Sequence, residues 1–152
     1  MKVRTRRLAA SIALLVFAGC GREATVPPNG EREGCVEYRY SVRPVGVDRV
    51  PRVRVEIRTV EEGACGGIRS VRALLFDDLD GDGEWTEGGD VAFASSSKHW
   101  TEPTDAVMLD LGDAEQGRTV SGGVYLRLEV ALADSGPRIF DRLVQPSPSD
   151  GS

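Results

Sequence analysis

Alternation of apolar and polar residues with a period of two is the feature of this chain that most constrains its fold. It is clearest in Val124–Ala133, where every second side chain is apolar while Arg127 and Glu129 fall between them. The segments Cys35–Val42 and Arg52–Thr59 follow the same pattern. Successive side chains of a β-strand point to opposite faces, so the alternation predicts strands with one buried and one exposed face.

Four further segments bring the number of predicted strands to seven. They are Ile68–Phe76, Val91–Ser95, Ala106–Leu111 and Arg138–Val144. The first of these ends in four consecutive apolar residues, Ala73 to Phe76, which place apolar side chains on both faces and indicate a central strand. A helix competes only at residues 104–116, where Pro103 and Gly112 disfavour a long one.

Seven short strands separated by glycine, proline and aspartate predict an all-β fold, an antiparallel β-sandwich of about seven strands. The strand pattern resembles that of immunoglobulin and fibronectin type III domains. We assign the sandwich to residues 35–144, enough chain for a single hydrophobic core. Residues 20–34, with Pro27 and Pro28, are expected to form a flexible tether, and residues 145–152 a disordered tail.

A strongly acidic stretch, Asp77–Asp90, separates two of the predicted strands. It holds seven carboxylates in fourteen positions and contains no lysine or arginine, so its side chains repel one another. Counted from Asp78, aspartates occupy loop positions 1, 3 and 5, and Gly83 occupies position 6. Alternate carboxylates of a tightly wound loop converge on one point, which is the arrangement that a hard cation requires.

This spacing resembles the calcium loop of the EF-hand, and more closely the DxDxDG loops that bacterial surface β-domains carry between strands. The resemblance implies a calcium ion held by Asp78, Asp80, Asp82 and the backbone carbonyl of Glu84, with Thr86 acting through water. It covers about a dozen residues. The flanking segments are rich in β-branched and aromatic residues, so the loop is expected to join two strands instead of two helices.

The closing ligand departs from the EF-hand pattern. An EF-hand loop ends with a bidentate glutamate at position 12, which is Gly89 in this chain. Glu87, Asp90 or a water molecule would have to close the site. The alternative is an acidic, solvated hairpin tip that binds no metal.

The first nineteen residues have the features of an export signal. A cationic start with Lys2 and three arginines precedes the apolar run Leu8–Ala18, whose eleven residues are too few to span a bilayer. Ala18-Gly19-Cys20 resembles a bacterial lipobox, although Phe17 stands where that family usually has leucine. The resemblance implies lipidation of Cys20 and a location in the cell envelope, anchored to a bacterial membrane on its extracytoplasmic side. The alternative is an ordinary cleaved signal peptide.

Export determines the interpretation of the other two cysteines, Cys35 and Cys65. If Cys20 carries lipid, they are the only pair left in a compartment that permits disulfides. We therefore expect a Cys35–Cys65 disulfide. Two reduced cysteines acting as catalyst or metal ligands would have only His99 as a partner, and the chain has no CxxC motif.

The charge of the chain argues against nucleic acid as a partner. Four of the 19 basic residues and none of the 24 acidic ones precede Cys20, so the chain from Cys20 onward carries 15 basic against 24 acidic residues, a formal charge of −9. Nucleic-acid phosphates require a basic surface. Membrane attachment is therefore expected to come from the lipid.

The sequence contains no recognisable catalytic motif, and we expect that the protein is not an enzyme. His99 is the only histidine, in the polar segment Ser95–Trp100, which is expected to be a turn. Ser97 and Lys98 are adjacent, so on a strand they would point to opposite faces. Trp85 and Trp100 would either form a patch for a glycan or an envelope protein, or cover the edge of the core.

These features together predict a lipid-anchored binding or envelope-scaffold module with a structural calcium loop. The alternative is a metal-free interaction subunit of a cell-envelope assembly. A third possible class is a hydrolase, which would be indicated by an activity that is lost when Lys98 or His99 is changed.

Overall fold

The computed structural model describes residues 29–46, 48–60, 65–113, 115, 118–121 and 123–144. The predicted signal peptide, Cys20, most of the tether and the tail lie outside these residues. The described residues form strands and no helix, so none of them belongs to a helix that could cross a membrane. The strands are β1 (Gly30–Glu33), β2 (Val36–Arg43), β3 (Arg52–Thr59), β4 (Ile68–Asp77), β5 (Val91–Thr104), β6 (Ala106–Leu111), β7 (Val124–Leu132) and β8 (Arg138–Leu143).

The strands form two antiparallel sheets of four strands each. The first sheet has the order β1-β2-β3-β6, and the second has the order β5-β4-β7-β8. The chain passes from one sheet to the other after β3, after β5 and after β6. The second order resembles that of an immunoglobulin-type sheet to which a C′ strand has been added. The prediction of an all-β antiparallel sandwich is confirmed, with eight strands among the described residues.

The hydrophobic core lies between the two sheets and follows the predicted alternation. In β7, buried and half-buried residues alternate along the whole strand. The buried residues of β3 and β7 include Val53, Val55, Ile57, Leu126, Leu128 and Val130. Burying a side chain of this size contributes about 1.5 to 3 kcal/mol, so these two strands alone supply much of the stabilisation of the sandwich.

The strand β4 is central, as its two apolar faces predict. It pairs with β5 on one side and with β7 on the other. Val71, Ala73 and Leu75 belong to the core, while Leu74 and Phe76 are also buried, on the opposite face. The outer face of the second sheet is therefore covered near the end of β4, and the acidic loop begins there.

The strand β1 lies within the stretch that was predicted to be a tether, so the tether prediction was wrong for residues 30–33. This strand contains no strongly apolar residue, and for that reason period-two alternation does not reveal it. It is held by its pairing with β2 and by Glu31, which accepts a hydrogen bond from the Tyr38 hydroxyl (3.3 Å) and forms an ion pair with Arg142 of β8. Glu31 therefore joins the edges of the two sheets.

The strand β5 is longer than predicted, and the prediction of a polar turn at Ser95–Trp100 was wrong. The strand continues to Thr104, at the edge of its sheet, where it pairs only with β4. Polar residues are tolerated there because an edge strand also meets solvent along its unpaired side. Trp100 packs against the core, and Lys98 donates a hydrogen bond to the carbonyl oxygen of Met108 in β6 (3.0 Å).

Cys35 and Cys65 form a disulfide, with their Cα atoms 6.2 Å apart. Cys35 immediately precedes β2, and its carbonyl oxygen accepts a hydrogen bond from the Val60 backbone N–H (2.9 Å). Cys65 precedes β4, so the bond connects the start of β2 in the first sheet to the segment that enters the second. The acidic loop lies beyond the other end of β4, at the opposite pole of the sandwich.

We expect peptide mapping of the oxidised protein to find the Cys35–Cys65 bridge. The two cysteines are 30 residues apart in sequence, and the bond closes this loop in the unfolded chain. Breaking the bond increases the conformational entropy of the unfolded chain and should lower the free energy of unfolding by about 3 to 4 kcal/mol. Urea unfolding with and without reductant measures the change. The variant with Cys35→Ala and Cys65→Ala is the control and should not respond to reductant. Two thiols that are alkylated without reductant would contradict the prediction.

Candidate metal centre

The acidic loop begins at the end of β4, where Asp77 is fixed by the neighbouring connection. Asp77 is buried, and its carboxylate accepts hydrogen bonds from the backbone N–H groups of Ser121 (2.9 Å) and Gly123 (3.2 Å). The Asp78 N–H in turn donates to the Gly123 carbonyl oxygen (3.3 Å). Asp77 is therefore an anchor of the loop, a role that sequence reasoning missed because one more carboxylate in an acidic run gives no distinguishing signal.

Three of the predicted ligands lie together. Asp78, Asp80 and Asp82 each present a carboxylate oxygen, and the three oxygens lie within 4.8 Å of one another. Asp78 is buried at 5 % exposure, whereas Asp80 and Asp82 are exposed. This group of aspartates could hold a metal ion, because oxygen donors at this separation can contact one cation from three directions.

Hydrogen bonds from the backbone wind the loop around these carboxylates. The two oxygens of Asp78 accept from Gly81 N–H (2.9 Å) and Gly83 N–H (3.0 Å). Asp80 accepts from Asp82 N–H (3.2 Å), and Asp82 accepts from Glu84 N–H (2.7 Å). Gly81 and Gly83 have φ angles of 77° and 80°, in the left-handed region that side chains with a Cβ avoid. The glycines permit the turns, and the aspartates satisfy the amides that those turns expose.

The pKa of Asp80 lies above its ordinary value, and the neighbouring carboxylates are among the causes. The largest influence on its pKa is the hydrogen bond from the Asp82 backbone N–H, which lowers it. Desolvation, the charge of Asp82 and contact with Asp78 act in the opposite direction and leave the pKa of Asp80 above its ordinary value. The fold therefore brings these negative charges together at a cost, and a bound cation would reverse the sign of that interaction.

The other three predicted ligands, Glu84, Glu87 and Asp90, lie in the second half of the loop. The carboxylates of Glu84, Glu87 and Asp90 do not belong to the group of three. Asp90 is buried at 8 % exposure, and its oxygens accept hydrogen bonds from Leu79 N–H (3.0 Å) and Thr86 N–H (2.8 Å). Asp90 thus joins the two ends of the loop through the backbone, since its oxygens face amide hydrogens. The roles of the Glu84 carbonyl and of Thr86 towards an ion remain predictions.

Aromatic contacts fix the loop against the outer face of the second sheet. The Trp85 ring meets the Phe76 ring edge-on at 5.3 Å between centroids, and Phe76 stacks on Tyr125 at 5.6 Å. Such pairs contribute about 0.5 to 1.5 kcal/mol beyond the area they bury. Trp85 therefore does not share a patch with Trp100, which packs against the core between the sheets.

A charged network lies beside this aromatic cluster. Arg127 of β7 donates to Glu129 (2.9 Å) and to Asp141 of β8 (2.9 Å). Burial raises the pKa of Asp141 above its ordinary value; Arg127 opposes this change, and the negative charge of Glu84 adds to it. Glu84 therefore lies near β8, which is consistent with a loop that folds back over the sheet.

We expect Asp90→Asn to lower the free energy of unfolding by about 1 to 3 kcal/mol, because an amide cannot accept from both Leu79 N–H and Thr86 N–H and leaves one of them unpaired. Urea unfolding in chelator checks this change without any contribution from a cation. Glu87→Gln is the matched control, an exposed residue of the same loop, and should change stability by less than about 0.5 kcal/mol. Equal effects of the two substitutions would show that Asp90 does not hold the loop.

Comparisons with known proteins do not assign this chain to a family. The sequence matches no family model and no curated protein. Among solved structures, the fold is similar to part of DesR, a β-glucosidase from Streptomyces venezuelae whose crystal structure contains D-glucose, with 13 % identity and a TM-score of 0.28. The match covers 73 % of this chain and 15 % of that protein, so the chain spans a small part of its length. A likeness at this level carries no argument about activity.

Proposed function

We propose that this protein is a lipid-anchored, extracytoplasmic β-sandwich whose acidic loop holds a structural calcium ion, and that it acts as a binding or envelope-scaffold module. The observation that carries the calcium proposal is the convergence of Asp78, Asp80 and Asp82, whose oxygens lie within 4.8 Å of one another. No lysine or arginine occurs in residues 77–90 to neutralise them.

The chemistry of the donors favours calcium over other cations. All three are carboxylate oxygens, which suit hard cations, and calcium accepts six to eight oxygens in a flexible geometry. Magnesium demands a smaller octahedral shell and loses its water reluctantly. Because position 12 of the loop is Gly89, no bidentate glutamate closes the shell, and we expect weak binding, with a dissociation constant on the order of 0.1 to 1 mM.

Support for an extracytoplasmic location comes from the disulfide and from the sequence before Cys20. Disulfides such as Cys35–Cys65 persist in oxidising compartments. The cationic start, the short apolar run and the small residues before Cys20 fit a lipoprotein signal. The lipid then holds the domain at the membrane while the sandwich offers its outer faces to partners.

One observation favours the alternative, a metal-free interaction subunit of an envelope assembly. Asp78, Asp80 and Asp82 already accept backbone hydrogen bonds, so the loop has internal partners for its carboxylates. A loop of that kind would keep its shape without an ion. The response of the melting temperature to calcium separates the two functions.

We expect calcium to raise the melting temperature. With about 1 mM calcium and a dissociation constant of about 0.1 mM, binding adds roughly 1.4 kcal/mol to the free energy of unfolding, or several degrees for a domain of this size. Thermal melts in chelator, in calcium and in magnesium at matched ionic strength measure the shift, which should be smaller with magnesium. The double variant Asp80→Asn, Asp82→Asn should lose it.

The matched control is the double variant Glu84→Gln, Glu87→Gln, which removes two charges from the same loop but none from the group of three. It should retain most of the calcium shift. A melting temperature that calcium leaves unchanged, or a shift that Asp80→Asn, Asp82→Asn retains, would support the metal-free alternative.

We expect Cys20→Ser to release the protein from membranes, because the substitution removes the thiol that would carry lipid. Fractionation of cells that express the wild type and the variant checks this, with a carbonate wash to remove loosely bound protein. Retention of the variant in the washed membranes would mean that another attachment holds the protein.

A further inference from the structure

The outer face of the first sheet is positively charged, although the chain as a whole is acidic. The register of β1, β2, β3 and β6 places six arginines on this face against three carboxylates, an excess of three positive charges. The arginines are Arg32, Arg39, Arg43, Arg52, Arg54 and Arg58, and the carboxylates are Glu37, Glu56 and Asp110. We call this surface the arginine face.

Each of the three carboxylates on this face forms an ion pair with an arginine on a neighbouring strand. Arg58 pairs with Glu37 (2.6 Å), Arg39 pairs with Glu56 (2.5 Å) and Arg54 pairs with Asp110 (2.8 Å). Each carboxylate on the face is therefore already matched by one arginine. The excess of positive charge includes Arg43 and Arg52, at the end of the face nearest the β2–β3 hairpin.

Arg43 and Arg52 form an unfavourable arrangement for the fold. They are direct partners across β2 and β3, both are exposed, and neither has an ion pair among the described residues. Like charges that face each other across two strands destabilise a sheet. The two residues border a groove of about 530 Å³ at the end of β6, which the ion pair of Arg54 with Asp110 also lines, and the Arg52 side chain lies close to Gly112. Two opposed arginines beside an open groove suit an anionic group that would relieve their repulsion.

The surroundings of this groove point to a membrane. Val45, two residues after Arg43 in the adjoining hairpin, presents an apolar side chain that is 61 % exposed. The β1 strand lies at the edge of the same sheet, and Gly30 is ten residues from Cys20, a distance of at most about 35 Å even if fully extended. The acidic loop lies at the same pole as Arg43 and Arg52, but it packs over the outer face of the other sheet, so an arginine face turned to the membrane keeps the carboxylates on the far side of the sandwich.

We infer that the arginine face docks on the anionic phospholipid surface of the membrane that holds the protein, with lipid phosphates between Arg43 and Arg52. This inference rests on the proposed membrane-anchored location, and it adds an orientation, with the first sheet against the bilayer and the acidic loop facing away. Each arginine near an anionic bilayer strengthens partitioning by about five-fold. Docking weakens as salt screens the charges, over a distance of about 10 Å at 0.1 M.

The test uses the chain from residue 20 onward with Cys20→Ser, which contains every described strand and has no lipid. Its binding is measured by co-sedimentation with vesicles of phosphatidylcholine alone and of phosphatidylcholine mixed with phosphatidylglycerol. Chelator is present so that calcium cannot bridge the acidic loop to lipid. We expect binding only to the mixed vesicles, and the double variant Arg43→Gln, Arg52→Gln should bind them about 25-fold more weakly.

The control is the double variant Arg69→Gln, Arg72→Gln, which loses the same charge from exposed positions on β4 of the other sheet and should bind nearly as well as the parent. Thermal melts of both variants establish that they fold, and removal of the opposed Arg43 and Arg52 pair should not lower the melting temperature. Binding that does not depend on phosphatidylglycerol, or equal losses in the two variants, would overturn the inference. Binding to dextran sulfate without binding to vesicles would also overturn it and assign the face to a polysaccharide.

The outcome of the vesicle experiment does not depend on lipid attachment at Cys20, since every protein compared in it lacks the Cys20 thiol. A failure to bind vesicles leaves the lipid attachment at Cys20 standing, because that proposal is tested by fractionation of the wild type. Retention of Cys20→Ser in washed membranes would in turn leave the vesicle result unchanged.

Discussion

The burial of β4 on both faces is the constraint on which the rest of the structure depends. One face supplies Val71, Ala73 and Leu75 to the core between the sheets. The other face places Phe76 under Trp85 and against Tyr125. The same strand therefore holds the sandwich together and provides the surface on which the acidic loop rests. Since apolar burial is proportional to the area removed from water, a polar residue at Phe76 would loosen the loop as well as the sheet.

The acidic loop illustrates how a fold can hold like charges close together. Carboxylates lower their own energy by accepting backbone hydrogen bonds, and bonds to charged acceptors contribute about 1.5 to 3 kcal/mol each. Asp77 and Asp90 use this interaction to fix the ends of the loop, while Asp78 fixes the turns at Gly81 and Gly83. What remains is the repulsion among Asp78, Asp80 and Asp82, which no cationic side chain of residues 77–90 relieves. This residual repulsion is the physical basis for proposing a cation.

The two outer faces of the sandwich differ in electrostatic character. The first sheet carries the arginine face, and the second carries the acidic loop beside the Arg127 network. A molecule with charges separated in this way is oriented by an electric field even when its net charge is negative. With the proposed lipid anchor at Cys20, orientation decides which surface is available to partners. In the proposed orientation the acidic loop and the exposed side of the second sheet face away from the membrane.

The sequence by itself determined the strands in which apolar and polar residues alternate, and the central position of β4. Their period-two pattern, as in Val124–Ala133 and Arg52–Thr59, is set by the backbone geometry of a strand and needs no knowledge of partners. It also predicted the disulfide, through the number of cysteines, and the convergence of Asp78, Asp80 and Asp82, through their spacing.

Tertiary structure decided the features that depend on distant partners. The strand β1 has no apolar pattern of its own and is held by its pairing with β2 and by the ion pair of Glu31 with Arg142. The strand β5 continues through Ser95–Trp100 because an edge strand tolerates polar residues. The role of Asp90 is set by two amides that only the folded loop brings to it. The opposition of Arg43 and Arg52 follows from the register of β2 and β3. The sequence shows how many charged residues the chain has, but only the pairing of the strands decides which of them lie next to one another.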